Sequence, residues 1–354
     1  MQLGVYCETL TPQRLAEPDV LSLLSEFDVT LAHAIQFTHL GGDFRPEHAA
    51  RHLEFAAKLK EAGGRYAWWP LLPKAFGYWP NERNLGAFER LIDTLLLACE
   101  KYGASPDLIV FDIETPWRQI EKIFFPGVPA LDRALAVAKM LLGNRNPRRF
   151  AWAAGKLQEI VSRVQCAGIQ TAAAAFAFLI ADLVRNGHVL QDYLEMPIFP
   201  VKFDGYNGMF YTSYVPKAAP MIVPKAGASR FVYEYARVLS ENFGDRAWIT
   251  LGSTWEGVIP GNEGLAYDRP AQLIADAAAA KAAGIGHLWL YCLEGVLYKD
   301  QALLKPRTQE ERRAFFDVLR STPTAEPAPH SGWSRGRRRL EWAAGDWLRW
   351  SYDW

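Results

Sequence analysis

The sequence predicts an α/β fold, a (β/α)8 TIM barrel with a short C-terminal extension. Three observations lead there. Short apolar runs recur along the chain, stretches with apolar residues at helical spacing lie between them, and 354 residues suit one barrel of roughly 250 residues plus insertions. The strand candidates, in order, are Leu3–Cys7, Val29–Phe37, Tyr66–Leu72, Leu108–Ile113, Gln170–Phe176, Gly208–Tyr214, Trp248–Gly252 and His287–Leu293.

The first helix after the second strand reads as Pro46–Ala62 and stops at Gly63-Gly64, a C-terminal signal. Leu85–Tyr102, Ala130–Leu142, Ser229–Asn242, Pro270–Ala283 and Thr308–Ser321 follow the same pattern, with Pro270 in a first turn and Gly284 closing its helix. The Ala-rich fifth strand has a competing reading, as the continuation of a helix beginning near Ala153. An open doubly wound sheet is the competing fold, but neither G-x-G-x-x-G nor G-x-x-x-x-G-K-[ST] occurs to support it or a nucleotide. Residues 1–321 are taken as the barrel domain. Residues 322–354 are a Pro-rich linker followed by a tail with Ser334–Arg339 and four tryptophans, Trp342, Trp347, Trp350 and Trp354. That tail is expected to pack its indoles on the barrel or on a neighbouring subunit.

Lys plus Arg and Asp plus Glu are 39 each, so the net charge is zero and no nucleic-acid partner is expected. No apolar stretch approaches ~18 residues without charges, so no transmembrane segment is expected. Cys7, Cys99, Cys166 and Cys292 lie far apart without C-x-x-C spacing, which argues for reduced core thiols rather than zinc ligands. His48 and His52 sit four apart on a helix but lack the HExxH pattern, so no metal and no cofactor is expected. The start of the chain lacks a basic region followed by an apolar one, which favours the cytoplasm and leaves secretion open. Oligomeric state is not legible.

The richest stretch is Asp107-Leu-Ile-Val-Phe-Asp112-Ile-Glu114. Its apolar centre suits a strand buried on both faces. Alternation puts Asp112 and Glu114 on one face, about 7 Å apart along the chain. Two acids this close push each other's pKa values apart, leaving one protonated near neutral pH, as general acid catalysis requires. If the barrel forms, the strand ends share one mouth, and active sites of this fold lie there. Candidates at that mouth are Tyr6 and Glu8, His33 and Gln36, Trp68 and Trp69, Tyr211 and Tyr214, Trp255 and Glu256, and Tyr291 and Glu294. Trp68 and Trp69 must face opposite ways, so one of them at most lines the mouth. Phe76-Gly77-Tyr78 and Trp79-Pro80 offer a cleft wall. Acids mixed with aromatics suit a carbohydrate better than a phosphate.

The strand-four segment resembles the D-x-x-D-x-D-x-E signature of glycoside hydrolase family 18, the chitinase-like barrels. Asp107, Asp112 and Glu114 take the first, third and fourth acidic places, and Val110 stands in the second. Met209-Phe-Tyr211-Thr212 is similar to the family's M-x-Y-D with Thr for Asp, and Tyr291-Cys-Leu-Glu294 is similar to its last strand with Tyr for the Trp floor. The resemblance implies glycosidic-bond hydrolysis with Glu114 as acid. Asp112 would orient a substrate acetamido group whose oxygen attacks the anomeric carbon, and Tyr211 would donate a hydrogen bond to that oxygen. Glu8, Trp69, Tyr214, Trp255, Tyr291 and Glu294 are the expected substrate contacts. Two other readings stay open. One is a retaining glycosidase in which Glu114 and Glu256 work as a pair ~5–5.5 Å apart. The other is a sugar-binding or scaffold barrel without catalysis, in which Arg or Lys would tie up Glu114.

Overall fold

The computed structural model describes residues 1–36, 45–124, 128–213, 227–257, 265–300 and 303–329. Eight parallel strands close into a barrel in chain order: β1 (Gln2–Cys7), β2 (Val29–Gln36), β3 (Arg65–Leu71), β4 (Leu108–Asp112), β5 (Gln170–Phe176), β6 (Gly205–Phe210), β7 (Ala247–Gly252) and β8 (His287–Tyr291). Closure pairs Leu3 with both Val29 of β2 and Leu288 of β8. The Ala-rich segment is a strand, pairing with β4 and β6. The sixth strand begins at Gly205, three residues before the predicted start, and ends at Phe210. Tyr214 lies outside the described residues, as does the tail from residue 330.

The helices, in order, are α1 (Pro12–Leu15), α2 (Pro18–Glu26), α3 (Ala50–Glu61), α4 (Leu85–Tyr102), α5 (Trp117–Phe124), α6 (Ala130–Gly143), α7 (Pro147–Cys166), α8 (Ile180–Val184), α9 (Val189–Leu194), α10 (Ala228–Phe243), α11 (Ile274–Ala282), α12 (Leu293–Leu297) and α13 (Gln309–Ser321). The helices predicted from Pro46 and Pro270 each open with a 3₁₀ turn, at Pro46–Ala49 and Pro270–Leu273. α5 and α6 are an insertion between β4 and α7. Described segment 322–329 is extended along α10 and α11: Lys281 donates to the carbonyls of Arg320 and Thr322, and Arg230 pairs with Glu326 and donates to the Pro327 carbonyl.

Alternation splits the strands between two cores. Val5, Leu31, Trp68, Ile109, Phe111, Ile249 and Leu290 face outward under the helices. Tyr6, Trp69, Val110, Ala172, Ala174, Trp248 and Trp289 fill the barrel. Val110, in a place the family-18 pattern gives to Asp, is thus an apolar plug beneath Asp112. Large indoles need small neighbours. A Cβ built on Gly4 would lie 2.2 Å from the Trp289 ring, and one on Gly205 would lie 2.5 Å from that of Trp248. Trp248 stacks on Trp289 at 5.8 Å and on His287 at 5.0 Å. Above them Asn207 donates to the Tyr6 hydroxyl at 3.0 Å and accepts from Thr250 at 2.8 Å. The middle of the barrel is therefore packed, and open space lies at its two ends, at the C-terminal mouth and beneath Trp248 and Trp289.

All four cysteines are free; Cys7 and Cys292 are core thiols as expected, whereas Cys166 is exposed near the end of α7. Among the described residues no helix is long and apolar enough to cross a membrane.

Candidate active site

Six of the eight strand ends supply inward residues to one cleft. β1 supplies Tyr6 and then Glu8, β3 Trp69, β4 Asp112 and then Glu114, β5 Ala174 and Phe176, β6 Met209 and Tyr211, and β8 Tyr291. The loop after β3 adds Trp79, and the segment after β7 adds Glu256 and Gly257. The cleft measures about 580 Å³ with its open mouth included. Its floor is acidic and buried: Glu8, Asp112 and Glu114 are 4%, 3% and 6% exposed.

The Trp69 indole donates to Asp112 Oδ2 at 3.1 Å. Burial raises the pKa of Asp112, while hydrogen bonds from Trp69, Glu114 and Trp79 favour its ionised form. Burial also raises Glu114 well above the usual carboxylate range, and the Asp112 charge, its hydrogen bond to Asp112 and the Glu8 charge all push the same way. At Asp112 hydrogen bonds oppose the rise, whereas at Glu114 burial and charge act together, so Glu114 is the acid that holds its proton.

Glu8 is the third acid. Its Oε1 accepts from the Tyr78 hydroxyl at 3.0 Å, and its Oε2 accepts from the Tyr291 hydroxyl. Burial pushes Glu8 up to about 7 against the pull of these phenols. Gly257 (φ +72°) passes so close to the Tyr291 hydroxyl that a Cβ there would lie 2.7 Å away. The aromatic lining is continuous, with Tyr211 and Tyr291 5.3 Å apart and Tyr6 edge-on to Trp69 at 5.2 Å. Behind the wall, Tyr78, Trp79 and Trp117 pack together at 4.9 to 5.2 Å, with Lys74 Nζ 4.3 Å from the Trp117 ring centroid.

The structure thus gathers Glu8, Trp69, Asp112, Glu114, Tyr211, Glu256 and Tyr291 around one space. Glu294 is not among them. α12 starts at Leu293 and carries Glu294 behind β1, fully buried, where Oε1 accepts from the N–H groups of Glu8 (2.7 Å) and Thr9 (2.6 Å). Trp255 is half-buried against the inner cluster rather than in the cleft lining. Thr212, in the place the family-18 pattern gives to Asp, bonds Asp276 of α11 and the Tyr267 hydroxyl. Asp107 sits at the opposite end of β4, where Oδ2 accepts from the Tyr66 N–H. His33 is held by the Leu10 carbonyl and Tyr66 under the outer helices. Phe176, Met209 and Gly257 were not expected in the lining; the parity of Ala174 was the signal for Phe176.

A buried ionic lock braces the cleft wall. Arg149 of α7 donates to Glu82 Oε2 at 2.7 Å and to Glu195 Oε1 at 2.6 Å, and both carboxylates are sealed from solvent. Arg83 joins Glu195 from the other side at 2.5 Å and donates to Asn144 at 3.1 Å. The neighbouring Asn81 and Asn84 donate to the carbonyl of Trp79 at 2.9 and 2.8 Å.

No protein-family model and no curated protein sequence matches this chain. Solved structures do. A family 1 β-glucosidase from Thermotoga maritima is similar at TM-score 0.59 and 12% identity, over 92% of this chain and 98% of that one. The PgaB (BpsB) glycoside hydrolase domain from Bordetella bronchiseptica is similar at TM-score 0.51 and 12% identity, over 90% and 99%. A family 18 chitinase from Pseudoalteromonas aurantia reaches TM-score 0.42 at 12% identity, over 82% and 94%, too distant to weigh. The structural neighbours are TIM-barrel glycoside hydrolases of more than one family, and at these identities the likeness establishes the barrel, not the family.

Proposed function

We propose that this chain hydrolyses a glycosidic bond of a carbohydrate bound at the cleft, with Glu114 as general acid. The observation that carries this reading is the buried pair of acids, Asp112 and Glu114, on the floor of an aromatic cleft. Glu114 gives its proton to the glycosidic oxygen as the bond to the anomeric carbon breaks. In the substrate-assisted, chitinase-like form of the reaction, the acetamido oxygen of the sugar bonds to that carbon. Asp112 orients the acetamido N–H, Tyr211 donates to its oxygen, and Glu114, now a carboxylate, takes a proton from the water that opens the ring intermediate. Among the described residues no Arg or Lys forms an ion pair with Asp112 or Glu114, which speaks against a barrel that only binds.

The test is a screen of aryl glycosides, N-acetylglucosaminides included, with native protein and Glu114→Gln. The variant should lose roughly 10²–10⁴-fold in kcat/KM with its melting curve unchanged. Undiminished turnover by Glu114→Gln ends the proposal. Because Glu256 lines the same cleft, Glu256→Gln separates the two routes. Substrate assistance leaves most of the activity, whereas a nucleophilic Glu256 loses it.

A further inference from the structure

The cleft holds one acid more than a general acid and its helper require. Glu8 is buried, lies on the inward face of β1 in line with Tyr6, and has a phenol donating to each carboxylate oxygen. Two O–H donors aimed at two oxygens are the surroundings of a carboxylate, which only accepts; a carboxylic acid would present a donor to one of them. Its backbone is fixed as well, since Glu294 accepts from the N–H groups of Glu8 and Thr9. The side chain is therefore anchored at both ends, and it lines the same space as Asp112 and Glu114.

The charged and titratable groups around Glu8 are few. Tyr78 and Tyr291 hold it, Lys74 attracts it, and Glu294 repels it. Cys7 and Cys292 feel its charge from behind the strand. Across the cleft its charge opposes ionisation of both Asp112 and Glu114. Among the described residues, Glu114 interacts with Asp112, Glu8 and Tyr78, and Tyr6, Tyr211, Glu256 and Tyr291 are the other titratable groups lining the same cleft.

We propose that Glu8 is a positioning residue of this centre, a clamped carboxyl whose charge, when it is ionised, helps hold the transferable proton on Glu114. It acts through Glu114 rather than on the sugar. The inference rests on Glu114 being the acid, and it gives the Tyr78–Glu8–Tyr291 clamp a function that packing alone would not require.

Two measurements on native protein and Glu8→Gln test it. The first is the pH profile of kcat/KM on 4-nitrophenyl N-acetyl-β-glucosaminide. With Glu8 neutralised, Glu114 gives up its proton more readily, so the alkaline limb should move to lower pH and the rate on that flank should drop roughly tenfold. A merely structural Glu8 would scale the whole profile and leave the limb in place. The second is a ¹³C titration of the glutamate carboxyls with no substrate present. In Glu8→Gln the Glu114 resonance should titrate at lower pH. An unmoved Glu114 titration overturns the inference even if the enzyme is active. A moved titration with no turnover of any glycoside upholds the electrostatics and overturns the proposed reaction instead. Should Glu8→Gln fail to fold, Tyr291→Phe removes one of the two donors, weakens the carboxylate form of Glu8, and should move the Glu114 titration the same way.

Discussion

At the residue scale, strand parity decides most of the site. Asp112, Glu114, Glu8 and Tyr291 each follow an inward-facing residue by two, so a period of two was enough to place them together. Parity fails where the chain leaves the strand. Glu294 has the composition of a rim acid, but α12 begins one residue earlier and turns it behind β1. Parity also says nothing of loops, which is why Tyr78, the second donor to Glu8, reads in the sequence as part of a cleft wall with no bond to an acid assigned. Glycine is the other informative residue. Gly4 exists to admit the Trp289 ring, and the flat indole cannot yield to a backbone-anchored methyl. Gly4→Ala should cost about 1–3 kcal/mol in urea unfolding. A loss under a few tenths would show that the barrel interior is looser than this packing implies.

At the scale of elements, volume decides between competing readings. The Ala-rich fifth strand, predicted with a helix as its competitor, is a strand, and its small residues fit a barrel filled by indoles from β3, β7 and β8. The sixth strand starts at Gly205 rather than at the predicted Gly208, and Gly205 is the small partner that Trp248 needs. The helix predicted at Ala130 is α6, but α5 and the lock around Arg149 were not legible, since contacts such as Arg149 to Glu82 span 67 residues. The lock ties the start of α7 and the end of α9 to the loop carrying Trp79. Arg149→Met would leave Glu82 and Glu195 buried without their shared partner and should destabilise the fold by about 3–5 kcal/mol. Equilibrium denaturation checks it; a change below about 1 kcal/mol would mean that Arg83 alone suffices.

At the scale of the whole molecule, buried acids set the pH response. Burial raises Glu8 and Glu82 to about 7 and Asp276 to about 6 from ordinary values of 4.5, 4.5 and 3.8. A raised carboxyl contributes stability that is complete below its ordinary value and is lost as pH climbs through the folded-state value. Two buried histidines oppose this. His33 is drawn down to about 4 and His52 well below 6.5, so these two contribute stability that grows as pH rises toward 6.5. Above 6.5 the histidine effect is spent, while Glu8, Glu82 and the strongly raised Glu114 still lose ground. The melting temperature should therefore fall between pH 6.5 and pH 8. Calorimetry showing a rise across that window would contradict the burial described for these acids.

The bond from Glu294 to the amides of Glu8 and Thr9 joins residues 286 and 285 positions apart. On a ribosome adding roughly 5–20 residues per second, the eighth residue waits on the order of 15–60 s for its anchor. Until then β1 has no β8 beside it, and the Glu8 carboxyl has no fixed orientation. The nascent chain stays chemically idle through most of its synthesis, and the proton-holding centre comes into being only when the two sides of the seam between β1 and β8 meet.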